Sequence, residues 1–225
     1  LADMKGGLRK AGIRPPQGVQ PKPVQESREY RKVPEERLMA RLGLTKYDKD
    51  APLHEDLVQV KKVKILLSQH IGAPAKPVVA KGDHVLKGQK IAEAGGFVSA
   101  PIYASVSGTV KAIEPRVNPT GSKVNSIIIA NDGQYEEVEY PQPKPLSELT
   151  KEEILNIIGE AGVVGMGGAG FPTRVKLSPK EPDKIDYIIA NCAECEPYIT
   201  ADYRRMLENP ELLVEGMRVI LKLFD

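Results

Sequence analysis

Short apolar, largely β-branched runs, each stopped by Gly, Pro, Asn or Asp, fill residues 57–131: VKILLS, KPVVAKG, HVLKGQKIAEA, ASVSGTVKAI and NSIIIAND. That rhythm of strands and breakers predicts a small all-β barrel or sandwich. Gly82-Asp83 and Lys87-Gly88 are turn pairs, and Gly108 interrupts SVSGTV as a bulge or bend does. Upstream, residues 1–53 carry little strand pattern. PPQGVQPKP is extended, polyproline-like chain, whereas VPEERLMARLGL predicts a short helix. Pro34 suits its first turn and Glu35 and Glu36 its N-terminus; Leu38, Leu42 and Leu44 share one side, and Gly43 ends it.

Downstream, residues 134–149 form a Pro-rich connector. Thr150 and Glu153 then make a capping box, with Leu149 and Ile154 spaced as a hydrophobic staple, so KEEILNIIGE is a helix. Beyond a glycine-dense loop, Ile185–Ala190 predicts a buried strand of the parallel type. The last helix begins at Asn209 and Pro210, with Leu212, Leu213, Met217, Ile220 and Leu221 as its core stripe. The chain stops at Asp225 just where an α/β domain needs its next strand, as a fragment would. The expected organisation is α+β and multidomain: a tether with a short helix (1–53), a barrel (54–133), a linker (134–149) and an α/β domain, incomplete at its C-terminus (150–225).

Composition removes several function classes. The net charge of the 225 residues is +2, so neither nucleic acid nor attachment to acidic lipid is implied. Tryptophan is absent, which argues against base-stacking platforms. Two cysteines are too few for a disulfide scaffold, so a reducing, cytoplasmic setting is expected. No apolar run reaches the roughly 18–20 residues of a membrane span, and the first residues lack the apolar stretch of a signal peptide.

The candidate chemistry lies in GVVGMGGAGFPTRVK and IIANCAECEPY. Gly165, Gly167 and Gly170 satisfy G-x-G-x-x-G, and Gly168 adds to the density. Glycines let backbone N–H groups turn toward a phosphate without a Cβ in the way. A tight structural turn accounts for the same residues equally well. The loop is not a P-loop, because Lys176 stands six residues past Gly170. Asn191–Pro197 falls at the carboxyl end of the predicted strand, where open α/β sheets bind ligands. There Glu194 and Glu196 suit ribose hydroxyls or an amide, or are two solvated loop acids. Cys192 and Cys195 spell C-x-x-C, a redox dithiol or half a zinc site. His70, beside Gly72 and Pro74, is an ordinary turn histidine, and His54 and His84 make no better case for a metal.

KGDHVLKGQKIAEAGG followed by VSAPIYASVSGTVKAI resembles the barrel-sandwich hybrid of biotinyl and lipoyl carrier domains. The intervening EAGGFVSAP has no lysine to modify, so the barrel is expected to be structural. Residues 147–225 are similar to the flavin-bearing, NADH-oxidising subunit of respiratory complex I. LLSQHIGAPAKPVV, SIIIANDG, GVVGMGGAGFPTRVKL and AECEPYITADYRRMLENPELLVEGM, in this order, resemble the C subunit of the Rnf electron-transport complex more closely. The cobalamin reductase of propanediol-utilising microcompartments shares these modules, and REYRKVPEERLMARLGL looks more like its tether.

The resemblance implies a truncated Rossmann-like flavin/NAD domain behind the barrel. It implies FMN and NAD(H) as cofactors, with hydride exchange between them. Gly165, Gly167, Gly168 and Gly170 would cradle the flavin and its phosphate, and Lys176 would neutralise charge. Asn191 and Glu194 would hydrogen-bond the flavin, and Glu196 would face the nicotinamide. Ala193 stands where the complex I pattern has an aspartate. The 4Fe-4S motifs of the family are absent, so those clusters are expected in a missing C-terminal part. The implied setting is a peripheral subunit on the cytoplasmic side of the cell membrane, partnered by other subunits of an ion-pumping ferredoxin:NAD oxidoreductase. The alternatives are a soluble cobalamin reductase and a non-catalytic docking module.

Overall fold

The computed structural model describes residues 2–13, 23–49, 60–142, 144–166, 168–196 and 199–224. His54 and most of PPQGVQPKP lie outside these residues. The chain divides into two compact units, Leu1–His54 and Glu55–Asp225. In the first are helices α1 (Ala2–Lys10) and α2 (Glu35–Leu42), with short 3-10 helices at Glu26–Arg31 and Thr45–Tyr47. α2 is the helix that VPEERLMARLGL predicts. It ends where Gly43 takes a left-handed φ of 69° and returns its N–H to the carbonyls of Met39 and Ala40. Leu38 and Leu42 remain exposed.

The second unit opens with seven strands: β1 (Lys62–Leu66), β2 (Lys76–Pro77), β3 (His84–Val85), β4 (Lys90–Glu93), β5 (Ile102–Tyr103), β6 (Gly108–Val117) and β7 (Lys123–Asn131). They form two antiparallel sheets, ordered β1-β7-β6-β3 and β2-β4-β5. Val85, Ile91, Val110, Ile127 and Ile129 are wholly buried at the centre of the cluster they share. Ile127 and Ile129 share one face of β7, and Ile128 on the other is buried as well. Gly108 is the expected bend, with φ 145°, but the register slip falls later, between Val110 and Ala112.

Asp132, just past β7, ties three segments together. Its carboxylate accepts from the buried Ser107 hydroxyl (2.7 Å), the Gln134 N–H (2.9 Å) and His84 Nε2 (3.1 Å). The Ser107 bond first, then Gln134 and His84, hold the carboxyl down at about 2. Unfolded, it titrates near ~3.9. The stabilisation it gives is therefore complete above ~4 and is lost as pH falls toward 2. Asp132→Asn should flatten the melting temperature against pH over that window, as thermal scans at pH 2–5 would show.

The first half of the Pro-rich connector is strapped to the barrel. Lys87 donates its N–H to Glu136 O (2.8 Å), Val138 N–H returns to Lys87 O (3.0 Å), and Lys87 Nζ meets Glu137 (3.2 Å). Helix α3 (Lys151–Glu160) then starts on the predicted box. Thr150 Oγ1 accepts from Glu153 N–H (3.2 Å), and Glu153 Oε2 accepts from Thr150 N–H (2.9 Å). The Thr150 N–H and, next, Lys144 hold the Glu153 carboxyl at about 2. Thr150→Ala should cost about 1 kcal/mol in chemical denaturation.

Helices α4 (Thr173–Lys176), α5 (Ala201–Glu208) and α6 (Pro210–Leu221) follow. Residues 185–190 do not form the expected buried strand. They carry no strand pairing, with Tyr187 85% and Ile189 84% exposed. A parallel-type strand takes its ladder from flanking strands, and none lies beside it among the described residues. The predicted stripe of α6 is likewise only half-buried at Leu213, Met217 and Ile220, and Leu212 and Leu221 are exposed. α6 packs through its C-terminal end instead. Leu223 is buried, Val219 faces α3 across an apolar groove, and Lys222 Nζ donates to Leu146 O (2.6 Å) and Ser147 O (3.0 Å). Asn209 occupies the N-cap position without a side-chain cap bond. No helix among the described residues is long and apolar enough to cross a membrane.

Candidate functional site

The glycine loop is a β-bridged turn seated on the barrel. Gly165 N–H donates to Phe171 O (2.9 Å), and Thr173 N–H to Val163 O (2.9 Å), which closes the loop at its neck. Its far side is pinned by Ile71 N–H donating to Ala169 O (2.9 Å). The seat itself is rigid. His70 is buried, with Nδ1–H donating to Ile71 O (3.1 Å) and Nε2 accepting from Ala100 N–H (3.1 Å), the structural role its turn position suggested. The α3 end is fastened through Glu160, whose carboxylate pairs with Lys90 and whose carbonyl accepts from the Tyr103 hydroxyl. That ion pair raises the Lys90 pKa, while burial raises that of Tyr103.

The loop glycines divide into two kinds. A Cβ on Gly170, at φ 65°, would lie 2.7 Å from Gln69 O and 2.9 Å from His70 Cα. One on Gly162, at φ 66°, would lie 2.7 Å from Pro101 O. These two are glycine because the barrel is close. At Gly168 a Cβ would enter open space, and at Gly165 it would make only ordinary contacts with Phe171 at 3.8 Å or more. Neither position needs glycine for the protein's own packing. Gly167 lies outside the described residues. Among the described residues, the N–H groups of Met166, Gly168, Ala169 and Gly170 have no protein acceptor.

The remaining predicted residues are placed separately. Lys176, in the last turn of α4, is exposed and makes no ion pair among the described residues. Asn191 Oδ1 accepts from Ala193 N–H (3.1 Å) in a tight turn. Glu194 Oε1 accepts from the N–H groups of Asp202 (2.7 Å) and Tyr203 (3.2 Å), and so caps α5. Glu196 is exposed. Cys192 and Cys195 are free thiols, half-buried and exposed. Among the described residues, no hydrogen bond or ion pair joins 162–172 to 191–196.

Two further residues, Phe97 and Gly159, belong to no candidate-chemistry motif of the sequence, and Arg174 lies in GVVGMGGAGFPTRVK with no role assigned to it there. Phe97 is 82% exposed on the barrel loop facing α3, and Arg174 lies across Gly159. Gly159 sits in the last turn of α3, next to its final residue Glu160.

Two family models match this chain in succession: the RnfC barrel sandwich hybrid domain over residues 45–134, and the Nuo51 FMN-binding domain over residues 158–225. The matched segments belong to these two domain families. The RnfC barrel segment contains all seven strands, and the Nuo51 segment contains the glycine loop and 191–196. The chain is 53% identical over 165 residues to the C subunit of the proton-translocating ferredoxin:NAD(+) oxidoreductase complex of Clostridium ljungdahlii, covering 73% of this chain and 36% of that one. The Na(+)-translocating counterpart of Acetobacterium woodii is 44% identical over 163 residues, 71% of this chain and 36% of the relative. The C subunit of the ion-translocating oxidoreductase complex of Pseudomonas aeruginosa is 43% identical over 160 residues, 70% of this chain and 20% of the relative. The chain thus spans about a third or less of the length of these RnfC relatives.

Proposed function

We propose that the Nuo51-type segment binds FMN on the glycine loop, as part of the C subunit of an ion-translocating ferredoxin:NAD oxidoreductase complex. The observation that carries this reading is the open side of Gly165 and Gly168. Glycine there has no packing reason, and it leaves room for a ligand to reach N–H groups that have no acceptor among the described residues. These features fit a phosphate monoester on a rigid seat. FMN, when bound, supplies the ring that accepts hydride and releases electrons singly.

The chain's own residues bind and orient. Gly165, Gly167 and Gly168 keep the loop clear of side chains, while Gly170 holds it against the barrel. Lys176 supplies positive charge toward the phosphate. Asn191 and the second oxygen of Glu194 offer hydrogen bonds to the flavin edge, and Glu196 faces the incoming nicotinamide. In this reading the segment is part of a Rossmann-like domain, and electrons leave through 4Fe-4S clusters outside these 225 residues. The subunit sits peripherally on the cytoplasmic side of the membrane, against other subunits of the complex.

The test is an anaerobic NADH titration of the full-length subunit loaded with FMN. The flavin absorption should bleach with one NADH per FMN. Bound flavin that stays oxidised in excess NADH would refute the hydride-exchange role.

A further inference from the structure

The charge of the chain is unevenly divided. Residues 1–54 carry twelve Lys and Arg against seven Asp and Glu, and residues 55–225 carry twenty against twenty-three. The whole-chain value of +2 therefore averages a basic unit with a slightly acidic one, and it does not exclude acidic lipid for the first unit alone. That unit also lacks a core. Not one of its described residues is buried, although it contains two helices. Its apolar side chains lie open instead: Met4 and Leu8 of α1, Leu38 and Leu42 of α2, and the rings of Tyr30 and Tyr47. Helices this short are marginal in water unless an apolar face is covered.

The arrangement on α2 says what kind of cover fits. Leu38 and Leu42 are four residues apart and share one side of the helix, with the half-buried Met39 beside them. Arg37 and Arg41, also four apart, form the adjoining row, and neither has an ion pair among the described residues. Glu35 and Glu36 are confined to the first turn, where the helix N-terminus favours them. Past the helix, Lys46 Nζ lies 4.8 Å from the centre of the Tyr47 ring, so a further cation and an exposed ring follow directly. An apolar stripe edged by cations, with amphipathic tyrosines nearby, is the pattern of a helix lying in a headgroup layer. The basic residues are spread from Lys5 to Lys49 rather than gathered at one spot, which suits a laterally uniform negative surface better than a partner's pocket.

We propose that residues 1–54 attach the subunit to an acidic phospholipid surface, with Leu38 and Leu42 inserted among the headgroups and Arg37 and Arg41 on the lipid phosphates. An apolar insertion and a basic patch are together the two signals that stable anchoring needs, and neither suffices alone. Met4 and Leu8 of α1 add a second point of insertion on the same unit. Both helices precede the two segments that match domain families, so this attachment is an addition to what those domains do. The presence of a lipid surface rests on the membrane setting proposed above; the flavin does not enter.

The experiment mixes the full-length subunit, without FMN, with vesicles of phosphatidylcholine alone or with roughly 30% phosphatidylglycerol, and pellets them. Binding should require phosphatidylglycerol and fade at high salt. The double variant Arg37→Gln with Arg41→Gln should bind roughly thirtyfold more weakly, at about fivefold per cation near an acidic surface. Leu38→Ser with Leu42→Ser should weaken binding by about tenfold. All four side chains are exposed, so the melting curves of both double variants should match wild type. No pelleting with acidic vesicles, equal pelleting with both lipids, or wild-type affinity in either double variant would overturn the proposal. Self-association in the ultracentrifuge that both variants abolish, without vesicle binding, would overturn it in favour of a second copy of the chain. None of these outcomes depends on whether the glycine loop binds FMN.

Discussion

Gly108→Ala should be the most damaging single change in the barrel, lowering the melting temperature by roughly 10 °C. Gly108 begins β6 and pairs on one side with Val85 and on the other with Asn131. At φ 145° its backbone is one that side chains rarely adopt, and a Cβ there would lie 2.0 Å from Ala130 O. The obstructing atoms are backbone in the middle of the four-stranded sheet, so no rotamer change relieves them. Either β7 moves off or β6 re-registers, and both open the cluster around Val85, Val110 and Ile129. Strain and lost packing together come to about 3–5 kcal/mol, a large share of a typical domain's stability. A melting temperature within about two degrees of wild type would mean that β6 enters the sheet differently.

Gly170→Ala should also destabilise, by about 2–4 kcal/mol, although it lies in the glycine loop. Left-handed backbone disfavours alanine, and the new methyl would press on Gln69 O and the His70 backbone. The loop would lift from its seat, stretching the Ile71–Ala169 hydrogen bond. Denaturant titration of Gly170→Ala beside Gly168→Ala separates the two kinds of loop glycine. The first should lose stability in the absence of any ligand and the second should not. Equal stability would contradict the division.

Local signals in the sequence translated well. Thr150 and Glu153 form both bonds of their capping box, Gly43 closes α2, and Gly82, Gly88 and Gly108 all take positive φ. Such features depend on neighbours within a few residues. What the sequence could not separate was Gly170 from Gly168. Both satisfy the same pattern, but only the fold brings Gln69 and His70 against one of them. For the same reason the connector looks free in the sequence, although Lys87 and Glu136–Val138 bind it to the barrel across about fifty positions. Residues 185–190 carry a strand's composition, yet a strand is a property of pairing, and composition names no partner.

The central claim is that Gly168 is kept small for a ligand. Its most direct test is FMN binding to the full-length subunit and to Gly168→Val, with melting curves of both recorded without flavin. The account predicts superimposable melting curves and FMN affinity lower by at least about tenfold in the variant. Equal affinity in a variant of equal stability would contradict it, and the flavin would then have to be sought elsewhere on the chain.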